Sequence, residues 1–265
     1  MGEDVSRRDF MKVAGAAVGG VALGAIGGYS LMPTKETIVE IPRDVEVEMD
    51  VPTWPWTYVK LDPDAAAQRG YDSYWVGGCS YAGFEGILGE LREEVGFPFT
   101  QIPSTMMKYG GGGGLGWGMI CGALNGALAA MNIISDSYAG IGNELIGWYT
   151  EKAFPIFEPS EPKNDFELVT SVSGSPLCHV SVTTWSNTAG VKESDTERKE
   201  RCARLVADTV KKAVELMNAQ ADGTFAATFV PATAVTGCQS CHGKDGVIDN
   251  VATKDNCATC HEDAH

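Results

Sequence analysis

The chain has 265 residues, of which 44% are hydrophobic, enough for one large domain or two smaller ones with a buried core. Its formal net charge is −15 at pH 7, and its first 28 residues add nothing to that charge. Phosphate binding needs clustered lysines and arginines, so the acidic balance excludes nucleic acid and favours a protein partner with a basic surface.

Residues 1–32 predict export. Arg7 and Arg8 precede a Gly/Ala-rich apolar run, which is the order of a twin-arginine signal. The predicted location is the periplasm, or the outer face of the cytoplasmic membrane if the run from Val13 to Met32, ~20 residues long, stays uncleaved as an anchor. Membrane contact is expected only through this segment.

The remaining periodicity predicts a mainly α protein. Residues 33–62 alternate and are rich in proline, which is typical of an extended arm. Helices are expected within 63–222, as a helical four-cysteine domain, over 65–75, 79–96, 119–134, 137–154 and 193–221. The expected boundary residues are Asp64 as the first cap, Gly96 at the second end, and Ser194 or Asp195 before the last helix. Residues 223–265 lose the periodicity and predict a small, irregular segment built around cysteines.

Two C-terminal motifs, CQSCH and CATCH, predict two c-type haems. In C-x-x-C-H, two thiols form thioethers with the haem vinyl groups and the adjacent imidazole binds the iron. Two structural zinc or disulfide pairs are the alternative, and the histidine after each motif favours haem. The covalent and proximal ligands are then Cys238, Cys241 and His242 for the first haem, and Cys257, Cys260 and His261 for the second.

The chain has four histidines, so His179 and His265 remain for the two distal iron positions. If both haems are bis-histidine, every histidine binds iron. Methionine is the other common sixth ligand. The alternatives of that type are Met49, Met106, Met107 and Met217. His265 follows His261 too closely to pass round the same porphyrin, so it would ligate the other haem or a haem of a second chain.

Four further cysteines lie outside the haem motifs: Cys79, Cys121, Cys178 and Cys202. Four thiolates are the usual ligand set of an iron–sulfur cluster, whereas an exported protein could pair them as two disulfides. A twin-arginine route suits a chain folded around a group inserted in the reducing cytoplasm, and this favours the cluster.

Two local features bear on that cluster. Cys178 and His179 are adjacent, so a cluster and a haem would be joined through neighbouring residues; alternatively, His179 only hydrogen-bonds near the cluster. The glycines from Gly110 to Gly114 predict a loop that approaches the cluster closely, with a flexible linker as the alternative.

The stretch from Cys121 to Gly126 is a CGAxxG motif. With four cysteines in this order and two C-x-x-C-H motifs, the chain from about residue 60 onwards resembles the C_GCAxxG_C_C redox proteins and the split-Soret cytochrome c family. The resemblance implies a helical domain with an iron–sulfur centre, [2Fe–2S] on the resemblance alone. It also implies a homodimer with closely placed bis-histidine haems, some of them ligated across subunits.

These expectations favour a periplasmic electron-transfer protein over an enzyme. The sequence has no nucleophile motif and no phosphate-binding loop, and no histidine remains for acid–base chemistry if all four bind iron. The alternative is a haem or iron–sulfur reductase acting on a small molecule at an open coordination position. A redox sensor is a third option, for which the sequence offers no output module.

Overall fold

The computed structural model describes residues 52–261, and this part of the chain is mainly helical. Its helices are α1 (Pro63–Glu94), α2 (Gly122–Ile134), α3 (Tyr138–Glu151), α4 (Cys178–Ala189), α5 (Thr196–Ala221) and α6 (Thr233–His242). Short 3₁₀ helices lie at Phe99–Gln101, Ser104–Gly110 and Cys257–Thr259. Strands β1 (Ala153–Phe154) and β2 (Ser171–Val172) pair antiparallel. The signal segment, the first part of the arm and His265 lie outside the described residues.

The N-cap of helix α1 lies two residues before the expected one. The Asp62 carboxylate accepts hydrogen bonds from the N–H groups of Asp64 and Ala65, at 2.8 and 3.3 Å, so the cap is Asp62 and the expectation of Asp64 was wrong. Pro63 explains the difference, because proline is favoured at the first helical position, where its missing N–H needs no partner. At the other end the Gly96 N–H bonds the Arg92 carbonyl, as expected for a terminating glycine.

Helix α1 is broken at Gly78, whose φ of 78° and ψ of −176° are not helical. A positive φ costs little for glycine, so this residue lets the chain change direction without interrupting the packing on either side. The two expected helices, 65–75 and 79–96, are therefore the two halves of α1. Cys79 is the first residue after the break.

The core lies between α1, α2, α3 and α5. Fully buried apolar side chains from these helices include Phe84, Leu88, Leu124, Met131, Tyr149 and Val210. Each such side chain contributes roughly 1.5–3 kcal/mol by leaving water. Helices α2, α3 and α5 occur where the sequence predicts them, and Asp195 is the N-cap of α5.

A buried polar group also joins α1 to α5. The Glu200 carboxylate accepts hydrogen bonds from the Tyr71 hydroxyl at 2.7 Å and from Arg204 Nε at 3.0 Å. Buried charges need such partners. This pairing fixes the face of α5 that lies opposite the first half of α1.

The C-terminal segment lies against α3. Lys254 Nζ donates to Asn143 Oδ1 at 2.9 Å, and the Ser175 hydroxyl donates to Asp255 Oδ2 at 2.9 Å. Among the described residues after 222, Val235 is the buried hydrophobic side chain. The segment therefore holds its place through polar contacts, and one short helix, α6, is its main regular element. No helix within residues 52–261 is long and apolar enough to span a membrane.

Candidate functional site

The four cysteines outside the haem motifs line one small cavity between α1, α2, α4 and α5. Cys79 follows the break in α1, Cys121 is the N-cap of α2, Cys178 is the first residue of α4, and Cys202 lies within α5. All four are free thiols, so the disulfide alternative does not describe this structure. The space between them is about 10 Å³, roughly the room for one water molecule.

A short backbone ladder places two of these thiols side by side. The Cys121 N–H donates to the Pro176 carbonyl at 2.8 Å, and the Cys178 N–H donates to the Met119 carbonyl at 2.6 Å. Helices α2 and α4 therefore start next to each other at the cavity. Helix N-termini carry partial positive charge, so both favour negative charge on the sulfurs.

The glycine-rich loop closes one side of the cavity. The Gly112 N–H hydrogen-bonds the Cys79 sulfur and lowers the pKa of that thiol, against a larger rise caused by burial. Gly113 has a φ of 70°, and a Cβ on it would lie 2.8 Å from the Cys178 Cβ and 2.6 Å from the Met119 nitrogen. The predicted loop therefore lies in close contact with two of the four cysteines.

Two arginines of α5 face the same sulfur. Arg198 Nη1 lies 3.9 Å and Arg201 Nη1 lies 3.8 Å from the Cys202 Sγ. Arg201 is 1% exposed, and its Nη2 donates to the Ser181 hydroxyl at 2.9 Å. Sequence reasoning did not identify these residues. The sequence feature that could have identified them is the cluster of basic residues around Cys202 in an otherwise acidic chain.

The environment of the thiols raises the pKa values of Cys79, Cys121 and Cys178. Burial raises the pKa of Cys178 to about 12, with further contributions from Cys121 and Cys202 that the two arginines oppose. Burial also raises the pKa of Cys121, against hydrogen bonds from the Tyr149 hydroxyl and the Ala123 N–H. The thiolate is the form that binds metal, so a cation that binds here must displace protons from this enclosed site.

The spacing of the thiols bears on what they could hold. Among residues 52–261, no three His, Cys, Asp or Glu side chains are already arranged as ligands of one metal ion. A single ion requires all of its sulfur ligands within about 2.3 Å of one point. The four sulfurs line one cavity but are not already arranged as the ligands of a single ion.

His179 lies at the rim of this site, on the exposed side of α4. Its Nδ1 is 3.1 Å from the Gly118 carbonyl oxygen, and its backbone N–H bonds the same carbonyl at 3.3 Å. With the proton on Nδ1, the ring presents Nε2 as its lone-pair nitrogen, which is the usual arrangement of a metal-ligating histidine. Leu115 and Trp117 nearby in the loop are 78% and 81% exposed.

The two C-x-x-C-H motifs also lie close together. CQSCH forms the end of α6, and CATCH lies on the 3₁₀ turn Cys257–Thr259. The pKa of Cys257 is raised first by slight burial and then by the neighbouring Cys238 thiol, so the first cysteines of the two motifs are in contact. His242 Nδ1 lies 3.0 Å from Asn250 Oδ1, which favours Nε2 as the iron-binding nitrogen.

The methionine alternatives differ in position. Met107 and Met217 pack in the hydrophobic core, whereas Met106 is exposed and Met49 lies outside the described residues. Of the two remaining histidines, His179 is exposed and His265 lies outside the described residues as well. Because Met107 and Met217 are buried in the core, they are not available to a haem bound at the surface.

Comparisons with known proteins agree with this arrangement. A family model described as "Putative redox-active protein (C_GCAxxG_C_C)" matches residues 81–216, and a twin-arginine translocation signal model matches residues 4–24. The chain is 34% identical over 268 residues to the split-Soret cytochrome c of Desulfovibrio desulfuricans (strain ATCC 27774 / DSM 6949 / MB), covering 97% of this chain and 95% of that protein. The chain is also similar to a solved structure of the split-Soret cytochrome c from Desulfovibrio desulfuricans ATCC 27774, which is reported as having a novel iron centre. That match has a TM-score of 0.74 at 36% identity and covers 78% of this chain and 90% of the other.

The helical four-thiol domain and the paired C-x-x-C-H motifs, together with these matches, define an exported c-type cytochrome. More particularly, the chain belongs to the split-Soret cytochrome c family. Its signal directs export by the twin-arginine route to the periplasm.

Proposed function

We propose that this protein is an electron carrier with two covalently bound bis-histidine haems and an iron–sulfur centre on the four thiols. The observation that carries the proposal is the convergence of the four thiols on one cavity, with His179 adjacent to Cys178 at its rim. Haem and cluster, when bound, supply one-electron redox chemistry. Residues 63–222 then form the redox domain, and 223–265 the dihaem segment.

The C-terminal motifs support two haems held close together. Cys238, Cys241 and Cys260 are exposed and Cys257 is half-buried, so all four thiols are accessible for thioether formation. The contact between Cys238 and Cys257 brings the attachment points of the two haems together. His242 and His261 are the proximal ligands in this proposal.

The distal positions fall to His179 and His265. The hydrogen bond from His179 Nδ1 to the Gly118 carbonyl orients the ring and raises the basicity of Nε2. His265 follows His261 by four residues, so its iron belongs to the other haem or to a second subunit. We therefore propose a homodimer in which each chain can supply a ligand to its partner, and an acidic surface that docks a basic redox protein.

The cluster is supported by charge as well as by donor type. Burying a cation is costly unless a negative charge lies close by. No carboxylate among residues 52–261 forms an ion pair with the buried Arg201, whereas the Cys202 sulfur lies 3.8 Å from it. Four thiolates around an anionic cluster would supply the missing charge. The [2Fe–2S] type rests on family resemblance alone.

Adjacent ligands give the two kinds of centre a short covalent connection. The α-carbons of neighbouring residues are ~3.8 Å apart, so Cys178 and His179 would join the cluster to a haem through one peptide unit. A saturated low-spin haem exchanges electrons without binding substrate. This arrangement favours a carrier over a reductase with an open coordination position.

Replacing His179 with alanine tests the proposal. The variant should lose the bis-histidine low-spin signature of one haem, and that haem should bind carbon monoxide when reduced, because its distal position is open. Asn187→Ala, at an exposed position of the same helix, is the matched control and should keep both signatures. Unchanged haem spectra in His179→Ala would refute His179 ligation, and rapid carbon monoxide binding by the unmodified protein would favour the reductase.

A further inference from the structure

Arg201 is a buried cation that forms no ion pair within the part of the chain that the structure describes, although its charge acts on the buried Asp208 carboxylate, where it opposes the rise in pKa caused by burial. Arg201 is 1% exposed, its Nε has no hydrogen-bond partner, and its guanidinium carbon lies 5.9 Å from the centre of the Trp185 ring. The Ser181 hydroxyl and the Cys202 sulfur are its polar neighbours. Arginine stays protonated in proteins, so this charge is permanent.

Arg198 completes the arrangement from the same helix. Residues i and i+4 share a helix face, which places Arg198 above Cys202, one turn away. Its Nη1 lies 3.9 Å from the sulfur, but its Nη2 is also 2.9 Å from Glu193 Oε1. Glu193 therefore offsets part of the Arg198 charge through an ion pair, whereas Arg201 forms no ion pair with a described residue and interacts only at longer range with the buried Asp208 carboxylate.

We propose that Arg198 and Arg201 are the counter-charges of the four-thiol centre and that they raise its reduction potential, Arg201 more than Arg198. This inference rests on the proposed function, since it assumes a redox centre on the four thiols. When the centre takes up one electron from a reduced haem, it gains one negative charge, and no proton or bond changes partner. Two fixed positive charges near the sulfurs stabilise that reduced state more than the oxidised one.

The test is a redox titration of the haem-loaded, iron-loaded protein, with the non-haem centre followed by electron paramagnetic resonance. Arg201→Gln should change the ratio of oxidised to reduced centre at fixed potential by about tenfold, a lowering of about 59 mV for a one-electron couple. Arg198→Gln should lower the potential by less, and Arg201→Lys should restore most of the loss. Iron content per chain and the haem potentials are read in the same samples.

Arg204→Gln is the matched control. Arg204 is a buried arginine on the same helix, but it already pairs with Glu158 at 2.8 Å and Glu200 at 3.0 Å, and it does not contact the thiols. Its replacement should reduce stability without moving the potential of the centre. If Arg201 has only a structural role, then Arg201→Gln should also reduce stability without moving the potential of the centre.

The outcomes separate this inference from the proposed function. If Arg198→Gln and Arg201→Gln keep their iron and their potential, the counter-charge inference is wrong and the proposed function stands. If Arg201→Gln loses its iron, Arg198→Gln must still lower the potential, or the inference is wrong. If the unmodified protein holds no iron beyond its haems, the cluster and this inference are both overturned.

Discussion

At the scale of single residues, the four-thiol site has the opposite electrostatic character to the protein that contains it. The chain carries a net charge of −15, yet the residues around the sulfurs include Arg198, Arg201 and the N-termini of two helices. Positive groups of this kind stabilise thiolates and anionic clusters. Local charge at the site, rather than overall charge, therefore decides what it can hold.

Gly113→Ala tests how closely the loop must approach the thiols. An added Cβ would meet the Cys178 Cβ and the Met119 nitrogen, at a φ of 70° that alanine disfavours. We expect a loss of stability of about 2–5 kcal/mol, from the backbone conformation and the clash together, and reduced non-haem iron content. Chemical denaturation and iron analysis measure these effects.

Gly116→Ala separates the two causes in the same loop. Gly116 has a φ of 83°, but its Cβ position has no neighbour within 4 Å. This variant should lose only the part of the stability that depends on the backbone conformation, about 1–2 kcal/mol, and should keep its iron. Equal iron loss in both variants would mean that loop strain, and not contact with Cys178, controls the site.

At the scale of secondary-structure elements, Glu144 attaches the C-terminal segment to α3. Its carboxylate accepts hydrogen bonds from the Thr228 N–H at 2.9 Å, the Phe229 N–H at 2.7 Å and the Thr228 hydroxyl. Burial alone would raise the pKa of Glu144, but these hydrogen bonds outweigh it and lower the pKa below the ordinary 4.5. The attachment is therefore strongest when the carboxylate is ionised.

This attachment predicts an acid-dependent opening. Because the folded pKa is lowered, the contribution of Glu144 is complete above pH 4.5 and is lost as the pH falls through the folded value. The protection of the amides in residues 225–232, measured as exchange corrected for its intrinsic pH dependence, should therefore fall on acidification of the unmodified protein. Glu144→Gln should show faster exchange already at neutral pH, with a smaller acid step.

Glu151→Gln is the comparison for that experiment, because Glu151 is exposed at the end of the same helix. It should leave exchange in residues 225–232 unchanged at neutral pH and keep the acid step. If Glu144→Gln behaves like Glu151→Gln, then the segment is held by other contacts, such as that between Lys254 and Asn143.

Helix α4 shows where periodicity fails as a guide to elements. No helix is predicted over residues 178–189, where Val180, Val182, Thr183 and Thr184 are β-branched and have low helix propensity. Tertiary contacts outweigh that preference. Trp185 is 1% exposed and its Nε1 donates to the Val169 carbonyl at 2.8 Å. Long apolar repeats, as in α2 and α5, were predictable because they already specify a buried face.

The four cysteines of the candidate site could be selected from the sequence, but their surroundings could not. Cysteine and histidine motifs specify donor atoms by residue type, so Cys79, Cys121, Cys178 and Cys202 could be selected from their order. Their convergence arises from packing between α1, α2, α4 and α5, and the contact of Arg201 with Ser181 arises from packing between α4 and α5. Such contacts between distant segments leave no local pattern in the sequence.

At the scale of the whole molecule, the proposed role of His265 would connect haem ligation with assembly of the dimer. In the proposed homodimer, His265 completes a haem of the partner subunit. Deleting His265 should leave one haem class without its distal ligand, with a change from low-spin to high-spin absorption, and should weaken dimerisation. Absorption spectra and sedimentation velocity measure the two effects on the same haem-loaded sample.

Glu262→Gln, in the same tail, is the control for that deletion. It should change neither the haem spectra nor the sedimentation behaviour of the dimer. The deletion can also separate ligation from assembly. Altered spectra in an unchanged dimer would place the ligand within one chain, whereas normal spectra and an unchanged dimer would refute any role for His265.

The exposed Trp117 gives the molecule an optical reporter of its own maturation. Its side chain is 81% exposed and it neighbours Gly118, whose carbonyl orients His179. A tryptophan in water emits at long wavelength, and a haem held by His179 would quench that emission by energy transfer. The chain has six tryptophans, so the difference in fluorescence between the unmodified protein and Trp117→Phe, before and after haem attachment, would isolate the signal of this loop.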